Sequence, residues 1–464
     1  MKIFNSYTRQ VQDLVPVIEG KVSMYVCGPT PYKEPHIGNA VPVVRYDLIR
    51  RYLEFKGYEV NFVTNVTDID DKMINIANER EITIKELASE VITLLNNSTK
   101  KLNINEPTKT LYATKFVDQV ISMTRILMQK GYAYKLSDGI YFNIDKFPDY
   151  GKLSGVNLNE LEDGSRIDVN QEKINPKDFV IWKFHKDGEP GWRDPLKQIP
   201  DGRPGWHMEC SAMIYSEFTD TIDIHAGGQD LTFPHHECEI AQSEACFDFK
   251  FVNIWMHNGL LNISGEKMSK SLGNFITLSE AIKKFSPMVV RYFLISTHYR
   301  SPSDLNDETI DNAKNSLSRL QNCIDRLIAS DGFDNNDDSE LDAQIQNLFD
   351  GFVKHMDNDF DISGALGYVF NFVTYVNSAL DQEKLSSSNI EVVISKFKEL
   401  NAILGFLIIE KSDIPDHVTD LADQRLNAKI NKDYVLADSL RDKILELGFD
   451  IKDIKKGYEI KKKS

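Results

Sequence analysis

Apolar positions along the chain change spacing several times, and each change marks a different kind of element. KVSMYVCG (21–28) alternates apolar and polar side chains and stops at Gly28-Pro29, as a strand running into a loop does. From Asn39 to Lys56, Val44, Leu48 and Tyr52 recur at helical spacing beside Asp47, Arg51 and Phe55, and Gly57 closes the helix. YEVNFVTNV (58–66) reads as a second strand and runs into the acidic loop TDIDDK. Strand, helix, strand at this spacing predicts a βαβ unit, hence a parallel sheet with ligands at the C-terminal ends of its strands. TDTIDIHAGG (219–228) and FKFVNIWMH (249–257) predict further strands of that sheet, each ending in a Gly- or His-bearing loop.

Between about Pro107 and Pro204 the grammar differs. YAYKLSDGIYFNI holds two aromatic strands around Ser-Asp-Gly, a hairpin signal, and NPKDFVIWK reads as another short strand. After Leu305 the pattern is helical: Ile310, Ala313, Leu317, Leu320, Ile324 and Leu327 form one stripe. Ile345, Leu348, Phe349, Phe352, Val353 and Met356 form a second, beyond the polar loop DGFDNNDDSE. A last helix pair is expected within 421–448, with Gly448 as its stop. The expected domains are an α/β domain over 1–106 and 205–304, an inserted subdomain over 107–204, a helical bundle over 305–414 and a small basic end over 415–464. There are no internal repeats or low-complexity tracts.

Composition sharpens this only in places. Hydrophobic residues make up 41% and charged residues 27%, an ordinary globular balance with ample core material. The stretch MKIFNSYTRQVQDLVPVIEG has no continuous apolar run and carries Asp13 and Glu19, so it reads as neither signal peptide nor membrane anchor. Five cysteines without paired spacing point to a reducing, cytoplasmic setting and to thiols used singly. A net charge of −16 disfavours a nucleic-acid partner, because phosphates are met by Lys and Arg. The end of the chain, KDIKKGYEIKKKS, is the exception, and by itself it reads as a solvated, frayed terminus.

The candidate chemistry lies in four short stretches. DLTFPHHECEIAQ (230–242) gathers two histidines, a cysteine and three acids around one proline. On a helix beginning near Pro234, His235 and Glu239 share a face, with Cys238 beside them, while His236 and Glu237 point elsewhere. That supplies two or three ligands where a zinc site takes four. Cys27 and Cys210, in RPGWHMECSAM, are placed to complete it, although a lone cysteine is ordinarily a small buried hydrophobe. Cys246 and Cys323 are read in that ordinary way. PHIGN (35–39), between strand and helix, suits phosphate: glycine lets the backbone approach, the helix N-terminus favours an anion, and His36 donates. SGEKMSKSLGN (264–274) offers Lys267 and Lys270 to a triphosphate, and GGQD (227–230) suits ribose hydroxyls. Taken singly, these are weak signals; a surface histidine or a solvated basic loop explains each as well.

Their order carries more. PHIGN in the first βα turn and EKMSKS late in the α/β domain resemble the two signatures of class I aminoacyl-tRNA synthetases. CGPT, PHIGNA, NVTDIDDK, NPKDFVIWK, GRPGWHMECSAM, GGQDLTFPHHE and EKMSKSLGN in one chain resemble the cysteinyl-tRNA synthetases in particular. The resemblance is continuous from about Tyr25 to Asn274, weakens through the helical region and returns at KINKDYVLADSLRDKI. It implies an α/β fold with a Rossmann-type, mostly parallel nucleotide-binding sheet, an inserted connective subdomain, a helical bundle and a small anticodon-facing C-terminal domain. It also implies activation of L-cysteine by ATP to cysteinyl-adenylate, then transfer to the terminal adenosine of tRNA(Cys).

Residue by residue, the resemblance places one Zn²⁺ on Cys27, Cys210, His235 and Glu239, where Cys238 stands in a position usually held by Asn. It assigns His36, Lys267 and Lys270 to catalysis, and Thr30, His36, Gly38, Asn39, Gly228, Asp230 and Lys270 to the ATP site. Thr67 and Trp206 wall the amino-acid pocket. Asn39 departs from the commonest last residue of the first signature, and Val41 stands where many members have Arg. Asp68, Asp70 and Asp71 read mainly as a structural loop, and Mg²⁺ arrives with ATP. Apart from the resemblance, a monomer without a membrane partner is the default expectation. Zinc has a physical purpose here: shape separates cysteine from serine poorly, by a factor on the order of 100, whereas a soft thiolate binds zinc far better than an alcohol does. Two rivals are a ligase joining cysteine to an amino sugar through the same adenylate, and a non-catalytic zinc-bearing RNA-binding paralogue. The long helical region with its basic end argues against the first, and intact His36, Lys267 and Lys270 against the second.

Overall fold

Five parallel strands form the central sheet, in the order Val252–Asn258, Ile222–Gly228, Lys21–Val26, Glu59–Val66, Lys109–Tyr112. The computed structural model describes residues 1–157, 171–267, 274–333, 338–409, 415–454 and 457–462. Strand order reverses between Lys21–Val26 and Ile222–Gly228, which opens a crevice beyond their C-terminal ends. Met24, Tyr25 and Val26 are all buried, as are Ile222, Ile224 and Ala226. Such strands are covered on both faces, so their interiors read as apolar runs rather than clean alternation.

The helix following the first strand spans Ile37–Phe55. Its charged residues Arg45, Asp47 and Arg51 are buried rather than on a solvent face. Asp47 Oδ2 accepts from Arg51 Nε at 2.9 Å and Arg291 Nη2 at 2.6 Å, and Oδ1 accepts from the Asn105 amide at 2.9 Å. Arg291, from the helix Pro287–Ile295, also donates to the carbonyls of Leu404, Leu102 and Asn103. The helix is thereby fastened to the end of a bundle helix, Ser387–Leu404.

The inserted region forms an antiparallel sheet of Ala133–Lys135, Gly139–Phe142, Phe179–Phe184 and Gly202–Pro204, which contains the expected hairpin and the NPKDFVIWK strand. Its core, including Ile121, Leu127, Ile140, Phe142 and Trp182, is continuous with Cys238, Ala241 and Ala245 of the helix Glu237–Phe247. Asp71 ties the acidic loop to this sheet by pairing with Lys183 and Arg203.

The helical stripes lie on Asp307–Ala329 and Leu341–Met356, followed by Ile362–Asp381 and Ser387–Leu404. By its internal contacts the chain divides into one unit of Met1–Cys323 with Gly332–Leu407 and a second of Ile324–Asp331 with Ile408–Ser464. In the second unit, the helices Asp416–Ile430 and Tyr434–Glu446 pack with a hairpin, Phe449–Ile454 and Gly457–Lys462, around Val418, Ala422, Ile444, Phe449, Ile451 and Ile460. The basic end, expected to fray, is a paired strand through Lys462: Phe449, Ile451 and Ile460 supply an apolar side that its lysines mask in the sequence. Among the described residues no helix is long and apolar enough to cross a membrane.

Candidate metal and nucleotide site

The strand Lys21–Val26 delivers Cys27 and Gly28 to the crevice. Gly28 is tightly constrained, since a Cβ there would stand 1.7 Å from the Asn65 carbonyl oxygen. Its amide donates to Asn65 Oδ1 at 2.8 Å. Cys210 comes from within the helix Trp206–Phe218. The helix expected to begin near Pro234 begins at Glu237; His235 lies in the irregular turn before it, where Phe233 is extended (φ −137°, ψ 134°). His235 Nε2 nonetheless sits 3.0 Å from Glu239 Oε1.

The ligand atoms of Cys27, Cys210, His235 and Glu239 all lie within 4.8 Å of one another. Cys27 Sγ is 3.9 Å from Cys210 Sγ and 3.8 Å from Glu239 Oε1. Cys238 is elsewhere: its sulfur stands 3.3 Å from the Tyr150 hydroxyl, inside the core shared with the insertion. A second group, Cys27, His225, His236 and Glu239, converges equally closely and shares two members with the first. His236 was expected to point away, but the turn 232–236 is not α-helical, so helical phase does not apply to it.

Around these groups stand histidines that the sequence reading passed over. His225 Nε2 is 2.9 Å from Glu239 Oε2, His207 Nδ1 is 2.9 Å from His235 Nδ1, and His236 Nδ1 is 2.8 Å from His257 Nε2. The available signal was a histidine in the middle of a strand buried from Ile222 through Gly227, His225 in IDIHAGG. The two groups differ in one telling atom, for His225 Nδ1 is buried without a hydrogen-bond partner among the described residues. If His225 donates from Nε2 to Glu239, Nδ1 is a bare lone pair. If Nε2 instead faced a metal, the proton would move to Nδ1 and leave a buried N–H unsatisfied, the costlier arrangement. In the first group, by contrast, the second nitrogen of His235 and the second oxygen of Glu239 both have holders, as metal ligands usually do. Two sulfurs, an imidazole and a carboxylate at this separation fit a metal ion.

Burial pushes the Glu239 carboxyl up, but the imidazoles of His225 and His235 outweigh it and hold it at about 2. Burial pulls His235 down, and the opposing pull of Glu239 and Cys210 lifts it to about 10. The hydrogen bond from Cys27 and the nearby His235 bring Cys210 to about 6 against burial. His207 and His257 are drawn to about 3 by burial and stay neutral.

Beside it, PHIGN opens the helix Ile37–Phe55. His36 is the N-cap, and Asn39 Oδ1 accepts from the His36 amide at 2.9 Å, so Asn39 closes a capping box. Gly38 lies in the first helical turn. The His36 ring stands edge-on to Phe275 at 5.7 Å, and its Nδ1 is buried without a partner among the described residues. Burial lowers the His36 pKa, with Asp230 pulling the other way. Thr30 lies in the loop after Cys27, while Gly228 ends its strand and Asp230 sits in the short turn that follows. Tyr46, from the same helix, bonds the Gly227 carbonyl at 2.9 Å and holds this loop. Lys267 ends the short strand Glu266–Lys267, of which only the backbone is described, and Lys270 lies outside the described residues.

Residues 13–315 match the family model of the tRNA synthetases class I (C) catalytic domain, and 351–408 match a DALR domain. Over 100% of both chains, the protein is 41% identical to a cysteine–tRNA ligase of Caldicellulosiruptor saccharolyticus and 42% identical to one of Clostridioides difficile. The chain belongs to the cysteine–tRNA ligase family. Mycobacterium tuberculosis methionyl-tRNA synthetase in complex with methionyl-adenylate shares the fold, with a TM-score of 0.64 at 17% identity over 83% of this chain and 92% of that one.

Of the family residues expected around the amino acid, Trp206 stacks on His235 with ring centres 4.3 Å apart and stays 39% exposed. Thr67 is buried, with Asn65 Nδ2 donating to its hydroxyl at 3.3 Å. The acidic loop holds the fold together: Asp68 accepts from the Thr114 amide at 2.8 Å, and Asp70 caps the helix Asp71–Glu79.

Proposed function

We propose that the protein activates L-cysteine with ATP and transfers the cysteinyl group to the terminal adenosine of tRNA(Cys), as a cytoplasmic monomer. The observation that carries this reading is the convergence of Cys27, Cys210, His235 and Glu239 in the crevice at the sheet's switch point, beneath the exposed edge of Trp206. These four would hold zinc, with His207 and His225 orienting His235 and Glu239. A bound zinc ion supplies soft Lewis acidity that prefers a thiolate sulfur to a hydroxyl oxygen. Trp206 and Thr67 wall the space for the amino acid. The positive N-terminal end of the helix opened by His36 and Gly38 attracts the phosphates, with Asn39 fixing that turn through its cap. Thr30, Gly228 and Asp230 line the nucleotide, and Mg²⁺ accompanies ATP. Lys267 and Lys270 meet the charge that builds on the departing pyrophosphate. The catalytic parts are 1–106 and 205–304, with 107–204 as the connective insertion, 305–414 as the bundle and 415–464 facing the anticodon.

ATP–pyrophosphate exchange tests this directly. Cysteine should drive exchange and serine should not, and tRNA(Cys) should then accept the cysteinyl group. Exchange that is indifferent to cysteine would overturn the reading; transfer to an amino sugar in place of tRNA would redirect it.

A further inference from the structure

One fully buried cation takes no part in the chemistry above. Arg45, on the helix Ile37–Phe55, is 1% exposed. Burial pulls its guanidinium down to about 10, which leaves it charged at neutral pH. It forms no ion pair among the described residues. Nε donates to the Leu294 carbonyl at 3.1 Å, and Nη1 faces the carbonyls of Tyr299 at 2.7 Å, Ser301 at 3.2 Å and Gly259 at 3.3 Å. Nη2 donates to the Ser303 hydroxyl at 2.6 Å. A buried guanidinium met only by neutral acceptors is a poor source of stability, since an apolar side chain of similar volume avoids desolvating a charge. What the rigid planar fork supplies, and an apolar chain does not, is geometry: it fixes where acceptors on separate segments must stand.

Those acceptors bracket one small sheet. Gly259 leads into Leu261–Ile263, Ser303 begins Ser303–Leu305, and these strands pair in parallel, with Glu266–Lys267 added antiparallel at Asn262. Gly259 lies so close to the other segment that a Cβ would stand 2.3 Å from the Ser301 carbonyl oxygen. The same helix reaches the returning chain through its N-terminus, where the Ile37 amide donates to Ile276 at 3.2 Å and the Leu278 amide to Pro35 at 2.8 Å. We infer that Arg45 is a positioning residue for cysteine activation, holding the strand pair Leu261–Ile263 and Ser303–Leu305 in register with His36 and the N-terminus of its own helix. The inference rests on the activation reading above.

The test compares Arg45→Met, Arg45→Lys and Ser303→Ala in the full chain. In cysteine-dependent pyrophosphate exchange, Arg45→Met should lose about 100-fold in kcat, the scale of a small misplacement, while the KM for cysteine and the metal content stay within about twofold. Arg45→Lys should recover part of the loss, and Ser303→Ala should lose roughly threefold to tenfold in kcat alone. In hydrogen exchange, the Ser264 and Ser303 amides, which bond Leu305 and Leu260, should exchange about tenfold faster in Arg45→Met, with the central sheet unaffected. Wild-type kcat in a folded Arg45→Met protein, or a cysteine KM that rises in step with the loss, would overturn the inference. Should Arg45→Met not fold, Ser303→Ala decides: wild-type turnover sinks the idea. Absence of cysteine-dependent exchange in the wild type would instead sink the functional reading, and unchanged amide protection would then still refute the placement of Arg45.

Discussion

At the scale of single residues, the geometry separates neighbours that helical phase leaves equivalent. Cys238 and Glu239 are adjacent on one helix, yet only Glu239 enters the metal group, while the Cys238 sulfur faces Tyr150. Glu239→Ala should therefore lose bound metal and cysteine activation. Cys238→Ala should keep one metal per chain and cost roughly 1 kcal/mol of stability for a small cavity. Metal analysis of the two purified variants decides, and a metal-free Cys238→Ala protein would reverse the assignment. His235 meets Glu239 at the expected four-residue spacing although His235 precedes the helix; the ring of His207, His225, His236 and His257 was not legible, because its members come from three elements and a turn. Val41, where the family often has Arg, is itself buried, and one turn further along the same face stands Arg45. Asp194 offers a pH test of a different kind. Burial would raise its carboxyl, but the amides of Leu196, Gln198 and Ile199, with Arg125, hold it below the usual carboxylate range. A depressed carboxyl contributes stability above its unfolded value of about 3.9 and loses it as pH falls through the folded one. The urea midpoint of Asp194→Asn should thus lie well below wild type at neutral pH, and the gap should narrow on acidification below about pH 4. A gap that is constant with pH would show that the charge is not what matters.

At the scale of elements, legibility followed how each face is buried. Strands such as KVSMYV and amphipathic helices such as Asp307–Ala329 were readable because one periodicity dominates. Trp206–Phe218 was not, because Met208, Cys210, Ser211, Ala212, Met213 and Ile214 are all buried and leave no polar stripe. The C-terminal hairpin was hidden by the opposite effect, lysines alternating with the few apolar residues that bury. The helix Ile37–Phe55 shows a third case, in which Asp47 and Arg51 look like solvent-facing companions and are in fact a buried joint. Removing Asp47 leaves the Arg51 and Arg291 guanidiniums without their carboxylate, and breaking a buried pair in this way costs about 3–5 kcal/mol. Asp47→Ala should show that loss in urea unfolding, and a change under about 1 kcal/mol would mean that the two arginines are satisfied by the carbonyls around them.

At the scale of the whole molecule, the expectation of an RNA-facing basic end on an acidic chain needs one revision. Arg425 is buried, and both its terminal nitrogens bind Asp453, at 2.8 and 3.1 Å, with Lys429 on the same carboxylate at 2.6 Å. The hydrogen bonds from Arg425 and Lys429 hold the Asp453 carboxyl well below the usual range, so all three charges serve the second unit's own fold. Lys432 and Arg441 are exposed and remain available to phosphate. Removing residues 415–464 should accordingly leave cysteine-dependent pyrophosphate exchange intact and weaken charging of tRNA(Cys). In the wild type, charging efficiency should fall steeply with salt, because each phosphate contact releases counterions. Lys432→Ala and Arg441→Ala should each lower the salt slope by about one unit without affecting exchange. Arg425→Ala should act differently, raising proteolytic cleavage within 415–464 because it unmakes the Asp453 joint. A truncated protein that charges tRNA as well as the full chain does, or Lys432 and Arg441 variants with an unchanged salt slope, would show that the tRNA contacts lie on another surface.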